Sequence, residues 1–556
     1  MNRNNERRFL NVPQMHTSRT RFNRDQTILT TFDSGKLIPF FVDEVLPGDT
    51  FQVDTSAIIR MTTPKYPVMD DAFVDFYYFY CPNRILWDNF KEFMGEVNET
   101  PWIPKKTHKV PTIVVQGSKS SGPIEESILD YMGIPTKIKK DFEINALPIR
   151  AYIKIWNEYF RDQNVENAAV LKTDDTKAYY ADDKNASVET TLKYANTGGR
   201  CLPVNRFHDY FSSCLPYPQR GPEVTLPITG NAPVGLYKND KLNEFGTVNG
   251  NQAIYFNQYI TAGSVPGISN SQAGNRNSLV YGSSSKTENI GDVAYLAANL
   301  NTVAATTINE LRNAIAVQQY YEAMARGGSR YREQVQALWD VTISDKTAQI
   351  PEYLGGGRYR IGMNQIVQTS GQQGENDTPI GETGAMSVTP INESSFTKSF
   401  EEHGFVIGVL CVRHNRTYQQ GLERFWSRED RLDYYVPQFA NLGEQPVKKK
   451  EIMLTGDTTD EETFGYQEAW ADYRMKPNRV SGLMRSNAQG TLDFWHYADN
   501  YSTVPTLSQE WMTEDKKEIA RTLIVQSEPQ FFGAIRVANK TTRCMPLYSV
   551  PGLYKL

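Results

Sequence analysis

The stretch from Phe73 to Gly95 constrains the fold most, because two different hydrophobic periods meet inside it. Phe73–Tyr80 is apolar at nearly every position, with Asp75 as the exception. Successive side chains of a strand point to opposite faces, so such a run predicts a strand that is covered on both faces. Pro82 then interrupts the run, and from Leu86 onward the apolar residues recur at helical spacing. The segment therefore predicts a buried strand followed directly by an amphipathic helix.

Other segments predict strands of contrasting exposure. Asp43–Arg60 contains a Pro-Gly-Asp turn and then apolar residues that alternate with polar ones, which is the pattern of a strand buried on one face. Phe405–Val412 is almost entirely apolar and predicts a second strand buried on both faces. Val335–Ile343 also predicts a strand, whereas the glycines of Pro351–Gly357 predict a turn.

Two segments predict helices that pack by an apolar face. Ile149–Phe160 has apolar and aromatic residues at helical spacing behind Pro148, and proline is favoured at a helix start. Thr307 and Glu310 have the spacing of a capping box, and Gly327–Gly328 would end the helix that follows. The chain is therefore predicted to contain several helices beside its strands.

Composition favours β structure and restricts the function. Aromatic residues make up 12% of the 556 residues, and 38 glycines and 29 prolines are scattered as expected of many short strands joined by turns. The formal net charge of -5 excludes a globally basic nucleic-acid binder. Five cysteines, widely spaced and odd in number, argue against a disulfide framework and for a reducing compartment. The apolar runs are too short to cross a bilayer and the N-terminus is polar, so the sequence predicts a soluble protein without membrane insertion.

The N-terminal residues combine arginine with little apolar periodicity. We predict a basic N-terminal arm, residues 1–30, that orders on a polyanion through phosphate contacts and stacking on bases. A solvated tail without function is the alternative that the residues leave open. The predicted DNA-binding residues are Arg3, Arg7, Arg8, Arg19, Arg21 and Arg24.

Residues 230–301 differ from the rest of the chain because they are rich in Asn, Ser and Gly and poor in charge. Such a composition with scattered tyrosines is typical of an exposed recognition surface, where the rings make contacts and small polar residues adapt. A passive spacer is the alternative. The flanking ranges 31–229 and 302–556 are predicted to form the folded core. The predicted host-recognition residues are Tyr255, Tyr259 and Tyr281.

The sequence nominates no catalytic or metal site. Cys201, His208 and Cys214 form a local cluster, but their spacing matches no structural zinc pattern. The motifs of zinc proteases, serine hydrolases and phosphate-binding loops are missing. Paired carboxylates such as Glu401 and Glu402 are neighbours in sequence, which gives no evidence of a facing acid and base. We predict a protein that is not an enzyme and binds no cofactor or metal.

Several long blocks resemble the major capsid proteins of microviruses, and more narrowly those of the gokushovirus branch. The resemblance runs in order along nearly the whole chain, and residues 230–300 share with the family only the presence of an insertion of variable sequence. The blocks are FYCPNRILWDNFKEFMG, LPYPQRGPEVTLP, ARGGSRYREQVQALWDV with PEYLGGG, the run from QTSGQQG to TPIGETGAMS, FEEHGFVIGVLCVRHNRTYQQGLERFWSREDRLDYYVPQFANLGEQPV, and FGYQEAWADYRMKPNRVSGLMR.

The resemblance implies an all-β core, an eight-stranded antiparallel jelly roll with long loop insertions and several helices. It implies that sixty copies form a T=1 icosahedral shell around a circular single-stranded DNA genome, with residues 230–301 protruding at the threefold axes. The expected partners are other copies of the chain, the genome, a small basic packaging protein, minor virion proteins and a host cell-surface receptor. The expected location is the virion, after assembly in the cytoplasm of a bacterial host.

Two other functions stay open at the level of sequence. A carbohydrate-binding or carbohydrate-active jelly-roll protein would need facing carboxylates or an aromatic platform for sugars. A cell-surface adhesin would need an export signal, and the polar N-terminus does not resemble one.

Overall fold

The computed structural model describes residues 18–97, 107–117, 123–183, 186–225, 234–238, 241–242, 295–298, 307–369, 380–381 and 383–548. The chain divides into two compact units, one formed by Met1–Arg220 with Ala323–Leu556 and the other by Gly221–Glu322. The strands are β1 (Thr20–Asn23), β2 (Gln26–Phe32), β3 (Ile38–Val45), β4 (Thr50–Met61), β5 (Ala72–Pro82), β6 (Thr112–Val115), β7 (Phe142–Asn145), β8 (Ala178–Tyr179), β9 (Val234–Lys238), β10 (Lys241–Leu242), β11 (Tyr295–Ala298), β12 (Glu352–Arg360), β13 (Met363–Val367), β14 (Thr383–Ser387), β15 (Thr389–Ser399), β16 (Gly404–His414), β17 (Thr417–Tyr418), β18 (Gln445–Lys448), β19 (Thr463–Gln467), β20 (Asn478–Arg479) and β21 (Phe531–Arg543). The α-helices are α1 (Asn83–Leu86), α2 (Phe90–Phe93), α3 (Ile128–Tyr131), α4 (Leu147–Ile155), α5 (Val188–Tyr194), α6 (Ile308–Gly327), α7 (Tyr331–Trp339), α8 (Asp345–Ala348), α9 (Ala471–Arg474), α10 (Gln509–Met512) and α11 (Lys517–Arg521).

Two antiparallel sheets form the centre of the larger unit. Sheet I has the order β2-β21-β4-β15, and β1 pairs with the C-terminal end of β21 on the same side as β2. Sheet II has the order β12-β5-β16-β3. The ring of Tyr78 in sheet II packs against Phe396 in sheet I with centroids 5.4 Å apart, and its hydroxyl hydrogen-bonds with Thr55 Oγ1 at 2.7 Å. Side chains from both sheets thus share one hydrophobic core.

Sheet II is covered on both faces. In β16 every residue except Arg413 is buried, and β5 has three half-buried residues among its eleven. Helix α4 packs over this sheet, and its Tyr152 hydroxyl donates a hydrogen bond to the Leu37 carbonyl at 2.7 Å. The predictions of buried strands at Phe73–Tyr80 and Phe405–Val412 are therefore confirmed, as is the helix behind Pro148.

Sheet I is covered on one face. Along β4 the buried residues alternate with half-buried or exposed ones, as the sequence of Asp43–Arg60 predicts, and β21 repeats the same alternation. Residues such as Val53 and Ile535 point into the core, whereas Ser56 and Arg536 lie on the opposite, exposed face. We call this second surface the exposed face of sheet I.

The polar exception in β5 is explained by ion pairs. Asp75 is fully buried, and its carboxylate accepts hydrogen bonds from Arg358 Nε at 2.7 Å and from the Arg413 guanidinium. Both guanidinium groups also lie 4.3 Å from the ring centroid of Phe207. A buried carboxylate is stable here because two cations compensate the loss of its hydration.

Two helix predictions need correction or confirmation. The helix predicted from Leu86 onward is wrong in its length, because α1 and α2 are single turns separated by residues 87–89. Trp87 is buried, its backbone is extended, and its indole N–H donates a hydrogen bond to Asp175 Oδ1 at 2.5 Å. The extended conformation of this residue ends helix α1. The capping box is confirmed, since Glu310 N donates to Thr307 Oγ1 at 3.2 Å and Thr307 N donates to Glu310 Oε2 at 2.8 Å.

Two strand and turn predictions are wrong. The strand predicted at Val335–Ile343 is mostly helix α7, whose N-terminus is capped because Arg330 N donates to Glu333 Oε2 at 3.2 Å. The glycines predicted to form a turn lie within strand β12. Gly356 has a φ of +152°, and a Cβ there would lie 2.0 Å from the carbonyl oxygen of Phe76, so only glycine allows β12 to pair so closely with β5.

The domain ranges are described only in part. Residues 20–23 and 26–30, which the sequence analysis assigned to the arm, form β1 and most of β2, so the arm is shorter than predicted. Of residues 230–301, the structure describes β9, β10 and β11, which form an antiparallel sheet in the order β10-β9-β11.

Candidate nucleic-acid and assembly surfaces

The predicted DNA-binding arginines divide into three groups. Arg3, Arg7 and Arg8 lie outside the described residues. Arg19 and Arg21 are exposed, and they make hydrogen bonds to neutral groups: Arg19 donates to the Gly48 carbonyl and to Thr50 Oγ1, and Arg21 donates to Gln52 Oε1 at 2.7 Å. Their charges are therefore not balanced by a carboxylate in these contacts.

Arg24 is the exception among these arginines. Its guanidinium donates to both carboxylate oxygens of Asp43, at 2.6 and 2.7 Å, and Asn539 donates to the same carboxylate at 3.0 Å. Asp43 belongs to β3 of sheet II, whereas Asn539 belongs to β21 of sheet I. Arg24 therefore has a structural role between the sheets, and a bidentate pair of this kind leaves little capacity for a phosphate. Sequence alone does not distinguish an arginine that faces a carboxylate from one that faces solvent.

Three further cations lie on the exposed face of sheet I. Arg60 on β4, and Arg536 and Lys540 on β21, are all exposed. In the register of β4 and β21, Arg60 stands opposite Phe532. The sequence analysis missed these residues, although the alternation in FFGAIRVANKTTR places Arg536 and Lys540 on one face of a strand and could have identified them.

An aromatic surface lies on the larger unit outside the two sheets. Trp426 is 67% exposed, Tyr434 53% and Tyr473 51%. The Arg428 guanidinium lies 4.3 Å from the ring centroid of Tyr473 and also pairs with Asp472. We define the aromatic surface as Phe425, Trp426, Tyr434, Tyr435 and Tyr473. Large aromatic groups exposed together are typical of protein contacts rather than of a surface that stays in water.

The buried charges near the C-terminal end of β16 are mutually balanced. Arg416 donates to Asp499 Oδ1 and to Glu514 at 2.5 Å each, and Arg206 donates to Asp499 Oδ2 at 2.8 Å. Burial alone would raise the pKa of Asp499, but the guanidinium groups of Arg416 and Arg206 outweigh it and hold that pKa well below its usual range. His414 contacts the other carboxylate, Glu514. This cluster crosslinks chain segments that are distant in sequence and resembles a structural network more than a reactive site.

The described residues do not form a reactive buried thiol, a metal site or a pair of facing carboxylates. Burial raises the pKa values of the Cys201 and Cys411 thiols to about 12, so neither is a thiolate nucleophile at neutral pH. Within the described ranges no group of three or more His, Cys, Asp or Glu side chains could hold a metal ion. A groove of about 890 Å³ is lined by carboxylates among other residues, but Glu125 pairs with Lys137 at 2.5 Å and Glu126 lies 3.6 Å from Arg200. These carboxylates are occupied by cations rather than placed as a facing acid and base.

The tyrosines predicted to recognise a host, Tyr255, Tyr259 and Tyr281, lie outside the described residues.

Comparison with known proteins decides the family. Residues 10–553 match the family model of the "Capsid protein (F protein)" of phages. The "Capsid protein VP1" of Chlamydia phage 1 is 38% identical over 603 residues, covering 99% of this chain and 98% of the relative. The chain belongs to the phage capsid protein family. The capsid proteins VP1 of Bdellovibrio phage phiMH2K and Spiroplasma virus 4 are 36% and 37% identical, and each comparison covers at least 96% of both chains.

Membership in the phage capsid protein family confirms the resemblance to the gokushovirus branch of the microviruses. The role of the chain is that of a structural major capsid protein, which implies assembly with copies of itself around a phage genome and a location in the virion. Among the described residues, no helix has the length and apolar character needed to cross a membrane.

Proposed function

We propose that the chain is a non-enzymatic building block, sixty copies of which close into a T=1 icosahedral shell around a circular single-stranded DNA genome in the cytoplasm of a bacterial host. The observation that carries this proposal is the end-to-end similarity to capsid proteins, with residues 10–553 matched by one family model. The formal charge of -5 on the whole chain also fits a shell protein whose contact with DNA is local.

The two sheets together are proposed to be the eight-stranded antiparallel jelly roll. The strand order supports this, because the chain passes between the sheets at most connections of these eight strands: β2 to β3, β3 to β4, β4 to β5, β12 to β15, β15 to β16 and β16 to β21. The resulting orders β2-β21-β4-β15 and β12-β5-β16-β3 are those expected of a jelly roll built from two Greek keys, and they support the proposal. A wedge of this kind can tile around symmetry axes through its loops.

The aromatic surface is proposed to be a contact between copies. Trp426 is 67% exposed in the isolated chain, so its removal should leave the folded subunit intact. In a subunit interface the same ring would be a buried anchor, and its loss would cost about 2 kcal/mol or more per contact. We expect Trp426→Ala to reduce the yield of closed particles strongly, whereas the control Tyr179→Ala, at a tyrosine 59% exposed elsewhere, should not. Normal particle yield for Trp426→Ala would remove this surface from the interface.

The basic arm is proposed to contact the genome at the inner wall. Arg3, Arg7, Arg8, Arg19 and Arg21 against Glu6 give about +4 per arm, so sixty arms would carry roughly +240. Encoding this chain alone requires roughly 1,670 nucleotides, three for each of its 556 residues. The arms therefore neutralise a minority of the phosphates, which leaves a role for small cations and for a small basic packaging protein.

Changing the five arm arginines to Gln, while keeping Arg24, tests this part of the proposal. The shells should keep their geometry but contain less DNA or less ordered DNA, measured by the ratio of nucleic acid to protein in purified particles. Unchanged DNA content and unchanged interior density would identify the arm as a tail without function.

Residues 230–301 are proposed to project outward and to recognise the host receptor, with Tyr255, Tyr259 and Tyr281 as contacts and minor virion proteins assisting. The support is compositional, since the segment is poor in large aliphatic residues and has little apolar surface of its own to bury. Sixty copies would also turn weak single contacts into strong avidity. Replacing Asn251–Lys286 by a short Gly/Ser linker should spare shell formation and abolish adsorption to host cells. Normal adsorption of such particles would place recognition elsewhere.

Negative-stain microscopy of the purified protein tests the function as a whole. We expect closed isometric particles of uniform diameter when the chain is produced with the other proteins of its phage. A chain that remains monomeric under these conditions would not be a shell protein.

A further inference from the structure

We propose that the exposed face of sheet I lines the inside of the shell and binds the packaged single-stranded DNA, with Arg60, Arg536 and Lys540 as phosphate contacts. This inference rests on the proposed function and adds to it the part of the folded domain that meets the genome. The arm and this face would then form one continuous binding surface, because Arg21 on β1 stands opposite Thr542 at the end of β21.

The spacing of the cations suits a linear polyanion. Arg60 stands opposite Phe532 in the strand register, so the three cations occupy the levels of positions 532, 536 and 540 along β21. Residues four positions apart in a strand are separated by about 13 Å, and they point to the same side. The cations therefore form an evenly spaced row of roughly 26 Å, with Arg60 displaced by about 5 Å onto the neighbouring strand β4, and a single extended strand of DNA can follow this row.

The balance of charge on this face is opposite to that of the whole chain. The strands of this face carry Asp54 on β4, and Asp25 lies 3.0 Å from Arg536. Both partners of that pair are largely exposed, at 41% and 62% of their side chains, so the pair contributes little and Arg536 can exchange Asp25 for a phosphate. Glu125, Glu126 and Asp130 line the groove beside Leu29, Ile58, Arg60 and Phe532, where Glu125 pairs with Lys137 and Glu126 lies 3.6 Å from Arg200. With Arg21 included, four cations stand beside only Asp54 and Asp25 on the strands themselves, while the chain as a whole carries -5.

Apolar side chains stand beside the cations. Leu29 is 81% exposed, Ile58 48% and Phe532 39%, although each lies in the middle or near the end of a regular strand. Ile58 and Leu29 both stand opposite Ala534, which places them on adjacent rows of the same face as Phe532. Single-stranded nucleic acid is bound without sequence preference where aromatic or apolar groups contact bases next to cations that contact phosphates. A face that meets only water has no need of these three residues.

The alternative occupant of this face is a second copy of the chain. An interface between copies would also cover the exposed apolar side chains. It would have to match the row of cations with carboxylates of the neighbouring copy, and it would make shell formation dependent on these residues. The two occupants therefore predict different results for the same variants.

The first experiment compares two triple variants with the same change in charge. The face variant carries Arg60→Gln, Arg536→Gln and Lys540→Gln. The control variant carries Lys346→Gln, Lys476→Gln and Lys517→Gln, at cations that are exposed by 61% or more and lie off sheet I. We expect both variants to form shells and only the face variant to lose DNA. In salt titrations of DNA release, the loss of three phosphate contacts should lower the slope of log affinity against log salt by about 2.

The second experiment uses intact wild-type particles and requires no variant to fold. Ultraviolet crosslinking followed by mass spectrometry should attach nucleotides to peptides containing Phe532. An amine reagent that does not enter particles should leave Lys540 unmodified in intact particles and label it once the particles are disrupted. The proposal is overturned by a face variant that packages DNA normally, by one that fails to form shells while the control assembles, or by Lys540 reacting from outside. Failure of the wild-type protein to form any particles would instead reject the proposed function itself.

Discussion

Sheet I and sheet II are both antiparallel and share one core, but they differ in how many faces are covered. In sheet II, β16 is buried along almost its whole length because α4 and the following segments pack over it. In sheet I, β4 and β21 bury every second residue and leave the other face open. Substitutions can therefore alter the exposed face of sheet I without opening the core. In sheet II the central strands β5 and β16 are buried on both faces, and exposed positions lie mainly on the edge strand β12.

The same contrast appears in the charges. The carboxylate in the middle of sheet II, Asp75, is fully buried and held by two arginines. Charged residues at comparable positions of sheet I, such as Arg536, are exposed and make at most a weak surface pair. The charge of Asp75 is therefore part of the fold, whereas the charge of Arg536 is available to a ligand.

The largest expected difference in stability between the sheets comes from comparing an introduced aspartate in sheet II with one on the exposed face of sheet I. Val409 is completely buried in β16, and Val409→Asp would bury a charge without a partner, which should cost at least about 5 kcal/mol and prevent accumulation of folded protein. The matched variant Ile58→Asp, on the exposed face of sheet I, should change the free energy of unfolding by less than about 0.5 kcal/mol. Soluble yield and urea unfolding of dissociated subunits measure both. Equal losses in the two variants would show that the exposed face is covered within the subunit.

The next effect concerns the two aspartates. Asp75→Asn removes the negative charge between Arg358 and Arg413 and should destabilise the subunit by about 3 kcal/mol, because two cations are left without a counterion. Asp54→Asn is at a half-buried position on the exposed face of sheet I, and it should change the free energy of unfolding by no more than about 0.5 kcal/mol. Urea unfolding curves compare the pair, and a small effect at Asp75 would mean that the arginines are solvated more than the geometry indicates.

A smaller effect depends on pH in the layer that covers sheet II. Burial raises the pKa of Glu166 to about 7, although hydrogen bonds from Asn205 and from the Asp162 amide oppose this. The folded state keeps a proton that the unfolded state loses above its lower pKa. Stability should therefore fall as the pH rises from about 4.5 to 7, by about 3 kcal/mol at most. Glu166→Gln should remove this loss, so the variant should be more stable than the wild type at pH 8 and equal to it at pH 4. A variant that is less stable at pH 8 would contradict the raised pKa.

The local periods of the sequence predicted the contrast between the sheets, but they did not predict which strands are neighbours. The unbroken apolar run of Phe405–Val412 and the alternation after Asp43 correspond to β16 and β4 as expected. In contrast, β4 pairs with β21, whose residues lie more than 450 positions later, and no local pattern contains that information. The strand predicted at Val335–Ile343 failed for a related reason, since a capped helix start outweighs a short apolar run.

The candidate DNA surface was predictable only at its N-terminal end. Arginine density identified the arm, but it also included Arg24, whose partner Asp43 is close in space through the packing of the sheets. Arg60 and Arg536 are hundreds of residues apart, and only the register of β4 and β21 brings them into one row. Sequence can nominate a candidate site that is one continuous segment, such as the arm, but it cannot nominate one that strand pairing assembles.

A cryo-electron microscopy reconstruction of the intact particle tests the central claim most directly. The account predicts a closed shell of sixty copies in which the exposed face of sheet I points inward and density for DNA lies against Arg60, Arg536 and Lys540. A shell in which this face points outward or is covered by a neighbouring copy would contradict the assignment of the DNA surface, and the lack of any closed shell would contradict the capsid function.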